Sequence, residues 1–510
     1  MGGILSMNIL NEWGSLAICL LYTVTATILG YSAKGKLDMK ALDNWSRSGN
    51  TMGLIVMIFL TGAGNVSAYT FLGAPGWGFS KGVAVFYVVV YLSFMAFTSY
   101  FMSPRVTRLA QEHGLGTQAS AIGVRFESSF LRILCGIVGA AAVCGNSIIQ
   151  IIGCGNILFI MSHGAIPMWA GQGIILLAIS FYIYNSGLRA IGWTNVLQGI
   201  MMFCLSILCA LFVIYAIQGN FSFREAFEEL LVQSPVHFTL PGADGSMPEL
   251  FWTTSILISI FTFWPQYWTF AAGAKSVDVC RKQYTYLPVF YFVMVPMILV
   301  GMVCVVNYTS YDGIADNVAL SFCQEYLPWW LVGLLAAGIL AASQSSAEPM
   351  LHTPAYLISF DVIGVARKWD EYKVGKWQRI IFLIITWCVA YPLALSYPAD
   401  LPTILLICYG FIAQFFPCML GVMCWPRGTK QGAIAGLVAG VAVVVLCNFV
   451  WANPFSIHAG IWGFMANIPV FIMVSVLTKP ASETTLKKFF EKDVLDRFYY
   501  REQLEGGVEE

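Results

Sequence analysis

Ala342, Ser345 and Ser346 stand at i, i+3 and i+4 of an apolar run, residues 334–364, reading LLAAGILAASQSSAEPMLHTPAYLISFDVIG. On a helix these three share one face, and Glu348 and His352 continue a polar strip on the neighbouring line. Oxygens gathered on one face of a buried helix can coordinate a small hard cation, while two serines alone serve equally well as hydrogen-bonding glue between membrane helices. Glu348 shifts that balance. An ionisable group far inside an apolar helix costs several kcal/mol unless it faces a cavity, a partner or an ion, so the strip reads first as a transport site.

The elements that must position this strip are membrane helices. Of 510 residues 58% are hydrophobic and 11% charged, against about a quarter charged in soluble domains. The formal net charge is zero, which leaves no basic surface for nucleic acid, and 47 glycines suit close helix contacts and broken helices. The 14 cysteines form no CxxC pair and sit mostly inside apolar runs, as small buried hydrophobes do. His113, His163, His237, His352 and His458 show no metal-ligand spacing, and no nucleophile elbow or phosphate loop appears, so an enzyme is not expected. The first apolar run, residues 9–31, lacks a basic flank and a cleavage site and reads as a retained helix.

Apolar windows of about 20 residues predict roughly thirteen spans. They fall near 10–32, 51–72, 82–103, 131–162, 168–186, 194–217, 250–272, 285–307, 328–361, 379–397, 402–424, 432–451 and 458–478. Lys and Arg gather in alternate connections: Lys34, Lys36, Lys40 and Arg47; Arg105, Arg108 and Arg125; Arg189; Lys275, Arg281 and Lys282; Arg367, Lys368, Lys373 and Lys376; Arg427 and Lys430. Those connections are expected in the cytoplasm, which places the N-terminus outside and the C-terminus inside a plasma (inner) membrane. Residues 482–504 read as an amphipathic helix lying on the inner leaflet, with no catalytic or sensor domain expected beyond it.

Two spans carry signs of interruption. In GLIVMIFLTGAGNVSAYTFLGAPGWGFS, Gly62, Gly64 and Asn65 break an apolar helix near its middle. Unwound backbone there exposes groups that only an ion, a ligand or protein can satisfy. Five spans later, in SILISIFTFWPQYWTFAAGAKS, Pro265 removes a backbone donor and Gly273 loosens the following turn. Either break alone reads as a simple kink; matched breaks five spans apart point to an inverted-repeat transporter with a site at the bilayer midplane.

These residues resemble the sodium:solute symporter family along nearly the whole chain. GAGNVSAYTFLGAPGWG is similar to that family's first core helix, close to its sugar-transporting branch. SGLRAIGWTNVLQG, residues 186–199, resembles the fifth, written GGLxAVxWTDxxQ; PQYWTFAAGAKS resembles the sixth and LAASQSSAEPMLHTPAYLISFDVI the eighth. The resemblance implies an all-α polytopic protein with a LeuT-like inverted repeat of two five-helix halves and discontinuous first and sixth core helices. It implies a sodium site from the carbonyls of Ala63, Val66 and Ala342 and the hydroxyls of Ser345 and Ser346. The solute would lie beside it, between Asn65, Ser67 and Thr70 of the first core helix and Trp264, Gln266 and Tyr267 of the sixth, with Gln150 as a further contributor.

Two departures from the family pattern stand out. Asn195 replaces the Asp of the fifth helix, and Glu348 and Pro349 stand where the eighth offers small hydroxyl residues. One carboxylate is lost and another gained, so Asn195 and Glu348 are read together as a second cation site. A proton on Glu348, or a cationic solute held by Trp264 and Trp268, are the rival readings. The repeats are expected at 51–217 and 250–424, with a peripheral helix and cytoplasmic loop in 1–50, an extracellular loop in 218–249, two peripheral helices in 425–478 and a cytoplasmic tail in 479–510. The expected activity is sodium-driven import of a small organic solute through the lipid bilayer, without chemistry, nucleic acid or an obligate protein partner. A sugar, polyol or nucleoside is favoured over an amino acid, vitamin or monocarboxylate, because no Lys or Arg is expected at the binding depth. A channel and a membrane sensor are the alternatives of a different class.

Overall fold

In lipid every backbone amide must find its partner inside the protein, which favours helices. The computed structural model describes residues 2–243, 245, 248–257, 259, 264–308, 315–396, 401–491 and 495, and the side chains of all these except 2–12, 248–251 and 401–406. Among the described residues there is no strand, only one isolated bridge between Met52 and Ala274. The helices run in order: α1 (Gly2–Ser32), α2 (Leu42–Arg47) and α3 (Leu54–Asn65), then, beyond a break, a π-helical turn at Tyr69–Gly73 that continues as α4 (Ala74–Lys81). Next come α5 (Tyr87–His113), α6 (Gln118–Arg125), α7 (Ser129–Met161), α8 (Met168–Gln218), α9 (Phe223–Gln233) and α10 (Pro248–Ile256). After Trp264 follow α11 (Pro265–Gly273), α12 (Val277–Tyr291), α13 (Met294–Cys304), α14 (Val318–Tyr326), α15 (Trp329–Tyr356), α16 (Gly364–Arg367), α17 (Glu371–Ile384) and α18 (Tyr391–Ser396). The chain closes with α19 (Leu401–Ala413), α20 (Phe416–Met423), α21 (Lys430–Val445), α22 (Ala459–Val476) and α23 (Glu483–Phe489).

Among the described residues nine helical stretches are long and apolar enough to cross a membrane. The windows at 51–72, 250–272 and 402–424 hold shorter or broken helices instead, and part of the second of these lies outside the described residues. The stretch Trp329–Arg367 buries 89% of its most apolar window and Glu371–Ser396 only 28%, so α15 is an inner helix and α17 a lipid-facing one. Leu21, Ile28, Phe97, Leu177 and Val438 are exposed, as an outer surface solvated by lipid requires.

Three expectations change in detail. Gly62 and Gly64 do not unwind the helix: α3 continues through both to Asn65 and ends at Val66, which is extended (φ −86°, ψ 99°). Gly62 is instead needed for packing, since a Cβ there would lie 2.7 Å from the Phe290 ring. Pro265 is no kink but opens α11 after an extended Trp264, where its missing N–H costs nothing, and Gly273 closes that helix. The windows 168–186 and 194–217 are one element, α8, bent at Gly187 (φ 55°), where a Cβ would fall 2.2 Å from Trp45 O. Only glycine fits that bend.

The tail also differs from expectation over its described part; residues 492–494 and 496–504 of that segment lie outside the described residues. Leu486, Phe489 and Phe490 are buried in the protein's own core, and Arg125 stacks on the rings of Phe126 and Phe490, so this face is turned to protein and not to the leaflet. Glu127 accepts from the backbone N–H of Ser482 at 3.2 Å, from its hydroxyl, and from Thr485 Oγ1 at 2.6 Å. Those bonds hold the Glu127 carboxyl below the usual carboxylate range. A depressed value means that the clasp is at full strength at neutral pH and weakens as pH falls through it. Trypsin at neutral pH should therefore cut at Lys487 and Lys488 several-fold faster in Glu127→Gln than in the parent protein; equal rates would show that the clasp holds nothing.

Candidate functional site

Because α3 stops inside the protein, its last carbonyls have no amide one turn on. Two side chains of α15 meet them. Ser345 Oγ lies 2.9 Å from Ala63 O and 2.9 Å from Ala342 O, and Ser346 Oγ lies 3.0 Å from Gly64 O. Both serines are fully buried. The structure thus brings together Ala63, Ala342, Ser345 and Ser346, while Val66 is the terminating residue and accepts from neither serine. Gly64 was not anticipated. A single hydroxyl hydrogen shared between two carbonyls leaves a cluster rich in lone pairs and poor in donors, which is the chemistry a bound cation completes. Among the described residues no group of three His, Cys, Asp or Glu side chains stands ready for a metal, and the oxygens gathered here are all neutral.

One step further along α15, Glu348 is fully buried and enclosed by neutral donors. Tyr182 Oη donates to its Oε1 at 2.5 Å, Gln198 Nε2 to Oε1 at 2.9 Å, and Thr194 Oγ1 to Oε2 at 2.6 Å. Gln198 also donates to Tyr22 Oη at 3.0 Å, so α1 joins this shell. Neither Lys nor Arg is among these partners, and a buried carboxylate without a counter-charge calls for a proton or a cation. Asn195 does not bond to Glu348. Its Nδ2 donates to Leu60 O at 3.3 Å, and its Oδ1 is buried with no partner. None of these four partners was anticipated: Thr194 and Gln198 carry a local signal in their i, i+4 spacing inside the quoted motif, whereas Tyr182, on the same helix before its bend at Gly187, and Tyr22 on α1 carry none.

The residues expected to line the solute converge on the two breaks. Asn65 accepts at Oδ1 from Tyr267 and donates from Nδ2 to Tyr291 Oη at 2.6 Å, which ties α3 to α11 and α12. Gln150 Oε1 accepts from Ala68 N at 3.0 Å, and Ser67 Oγ from Tyr69 N at 3.3 Å. Thr70 Oγ1 and Gln266 Oε1 are buried and unpartnered, and Trp264 meets Tyr409 edge-on at 5.4 Å. Trp268 points elsewhere: its indole donates to Leu115 O at 2.8 Å, so it is no cation-π wall for a solute. The far ends of the two interrupted helices are also joined, with Met52 N donating to Gly273 O at 3.2 Å and Lys275 N to Met52 O at 2.9 Å.

Two interrupted helices, a neutral oxygen cluster at one break and a sealed polar lining between them define a secondary transporter. The family model described as the sodium:solute symporter family matches residues 47–440. The chain belongs to that family, and with membership come a multi-pass membrane protein, transport without catalysis, and sodium as the coupling ion. Similar proteins include the uncharacterized symporter YhjB of Bacillus subtilis (strain 168), 27% identical over 89% of this chain and 95% of that protein. The sodium/proline symporter of Escherichia coli (strain K12) is 23% identical over 89% of this chain and 91% of its own. Among solved structures, the substrate-bound, outward-open Na+-coupled sialic acid symporter aligns with a TM-score of 0.77 at 19% identity, covering 92% of this chain and 99% of that one. That likeness shows the shared fold.

Glu348→Leu would strand three buried donors at about 1–3 kcal/mol each, whereas Glu348→Gln keeps an acceptor for them. Thermal unfolding in detergent should rank the parent protein and Glu348→Gln well above Glu348→Leu; a Leu variant as stable as the Gln variant would mean that the shell does not depend on an acceptor there.

Proposed function

We propose that the protein is a sodium-coupled symporter that imports a small neutral polar solute, such as a sugar, polyol or nucleoside, by alternating access. The observation that carries this reading is the placement of Ser345 Oγ 2.9 Å from both Ala63 O and Ala342 O, at the end of a helix that stops inside the membrane. Sodium binds between Ala63, Val66 and Ala342 carbonyls and the Ser345 and Ser346 hydroxyls, joining the broken α3 to the inner helix α15. Asn65, Ser67, Thr70, Gln150, Trp264, Gln266 and Tyr267 line the solute site. Glu348 is the anionic member of a second cation site, and the unpartnered Asn195 Oδ1 is its second oxygen. The bias of Lys and Arg between loops supports an N-terminus outside and a C-terminus in the cytoplasm.

The energetics suffice. One sodium entering down a tenfold gradient and about 100 mV releases roughly 3.7 kcal/mol, which sustains a solute gradient of several hundredfold. A second reading, an amino acid or another carboxylate solute, draws on the proline and sialic acid symporters among the similar proteins. The uncharged lining weighs against it.

In proteoliposomes the protein should accumulate its solute against a gradient, and a sodium ionophore should abolish that accumulation; a channel or sensor would fail the first test. Replacing Ser345 and Ser346 together by Ala should raise the sodium concentration for half-maximal uptake at least tenfold, equivalent to about 1.4 kcal/mol or more. Unchanged sodium activation in that variant would remove the site from the mechanism. Glu348→Gln should lower the number of sodium ions carried per solute, and an unaltered ratio would make Glu348 purely structural.

A further inference from the structure

Where a transporter helix restarts inside the membrane, its first amides and the positive end of its dipole form a natural seat for a solute carboxylate. Here the chain fills that seat itself. At the restart after Val66, Ala68 N donates to Gln150 Oε1 at 3.0 Å, Tyr69 N to Ser67 Oγ at 3.3 Å, and Thr70 N to Ser67 O at 2.9 Å. Gln150 reaches Ala68 because α7 runs unusually close to the break: a Cβ on Gly153, one turn along, would lie 2.9 Å from Ala68 Cβ and 3.1 Å from Ser343 Oγ. Gln150 is buried, and its bond to Ala68 uses the carbonyl, which leaves the amide NH2 as the donor end of the side chain.

The second restart offers fewer free amides than a helix start ordinarily does. Pro265 has no N–H, and the amides of Tyr267 and Trp268 turn back to Trp264 O at 2.9 and 3.4 Å. Among the described residues the buried cations are Arg47 and Arg125, and both are engaged away from the breaks, Arg47 on Asp43 and Ala110 O, Arg125 on Trp425 O and Pro426 O.

We propose that Gln150 is the specificity-determining residue of the solute site: its carbonyl occupies the anion seat at the start of the outer half-helix, and its amide NH2 replaces that helix start as the donor. The site then takes a solute through a neutral acceptor oxygen, a hydroxyl, ether or carbonyl, and excludes carboxylates. This rests on the sodium-symport reading above and adds the excluded class to it.

The test uses purified full-length protein, with binding read from tryptophan fluorescence and thermal unfolding in sodium and in choline. The probes are acetate, L-proline and D-glucuronate against D-glucose, myo-inositol and uridine. The parent protein should ignore the carboxylates up to concentrations at least tenfold above those at which they act on Gln150→Ala or Gln150→Ser, whose opened helix start should gain sodium-dependent carboxylate binding. A parent protein that binds any of the three carboxylates as tightly as any neutral probe that binds would overturn the proposal. So would variants that keep the sodium-induced rise in unfolding temperature yet gain no carboxylate binding. The sodium effect is read separately: if the parent protein lacks it, the symport reading fails, whereas its persistence beside either of those two results sinks the specificity proposal alone.

Discussion

A helix that stops in the middle of a bilayer leaves carbonyls and amides that no water can reach, and each must be answered by protein or ion. In this chain α3 stops at Val66, and the response to that one constraint organises the molecule. Ser345 and Ser346 answer the carbonyls at its end, Gln150 answers the Ala68 amide two residues beyond it, and Tyr267 and Tyr291 clamp the side chain of Asn65 at its edge. Helix starts outside the membrane interior behave differently. Ser128, Ser276, Asp370, Thr429 and Ser482 cap their own helices by local hydrogen bonds.

α15 is where these answers meet. Its serines face α3 and its carboxylate, three residues past Ser345 and so on the adjoining line, faces α8 and α1. The two polar groups differ in kind. The serine cluster offers only neutral oxygens, whereas Glu348 is a carboxyl held by three neutral donors with no counter-charge among them. Both polar groups stand on one inner helix, so a ligand at either would bear on the same rigid element.

Much of this was legible before any coordinates. The i, i+3, i+4 spacing of Ala342, Ser345 and Ser346 is a local signal, and so is Pro265, because periodicity and backbone chemistry act within a few residues. Gly62 and Gly64 misled in detail: glycine marks either a break or a close approach, and only the Phe290 ring packed on Gly62 decides between them. The shell around Glu348 went unread, although half of it left a local trace. Thr194 and Gln198 sit in one motif, while Tyr182 and Tyr22 arrive through tertiary packing that no local pattern encodes. The tail misled for a similar reason, since an amphipathic face looks alike whether lipid or Phe126 and Arg125 cover it.

The most direct measurement is anomalous scattering from crystals of the sodium-free protein soaked in thallium(I), an alkali-like ion that can be located without ambiguity. A peak should appear within coordinating distance of Ala63 O, Ala342 O and the Ser345 and Ser346 hydroxyls, and added sodium should displace it. A peak elsewhere, with both serine hydroxyls still bonded to the carbonyls of α3, would contradict an ion site at this break.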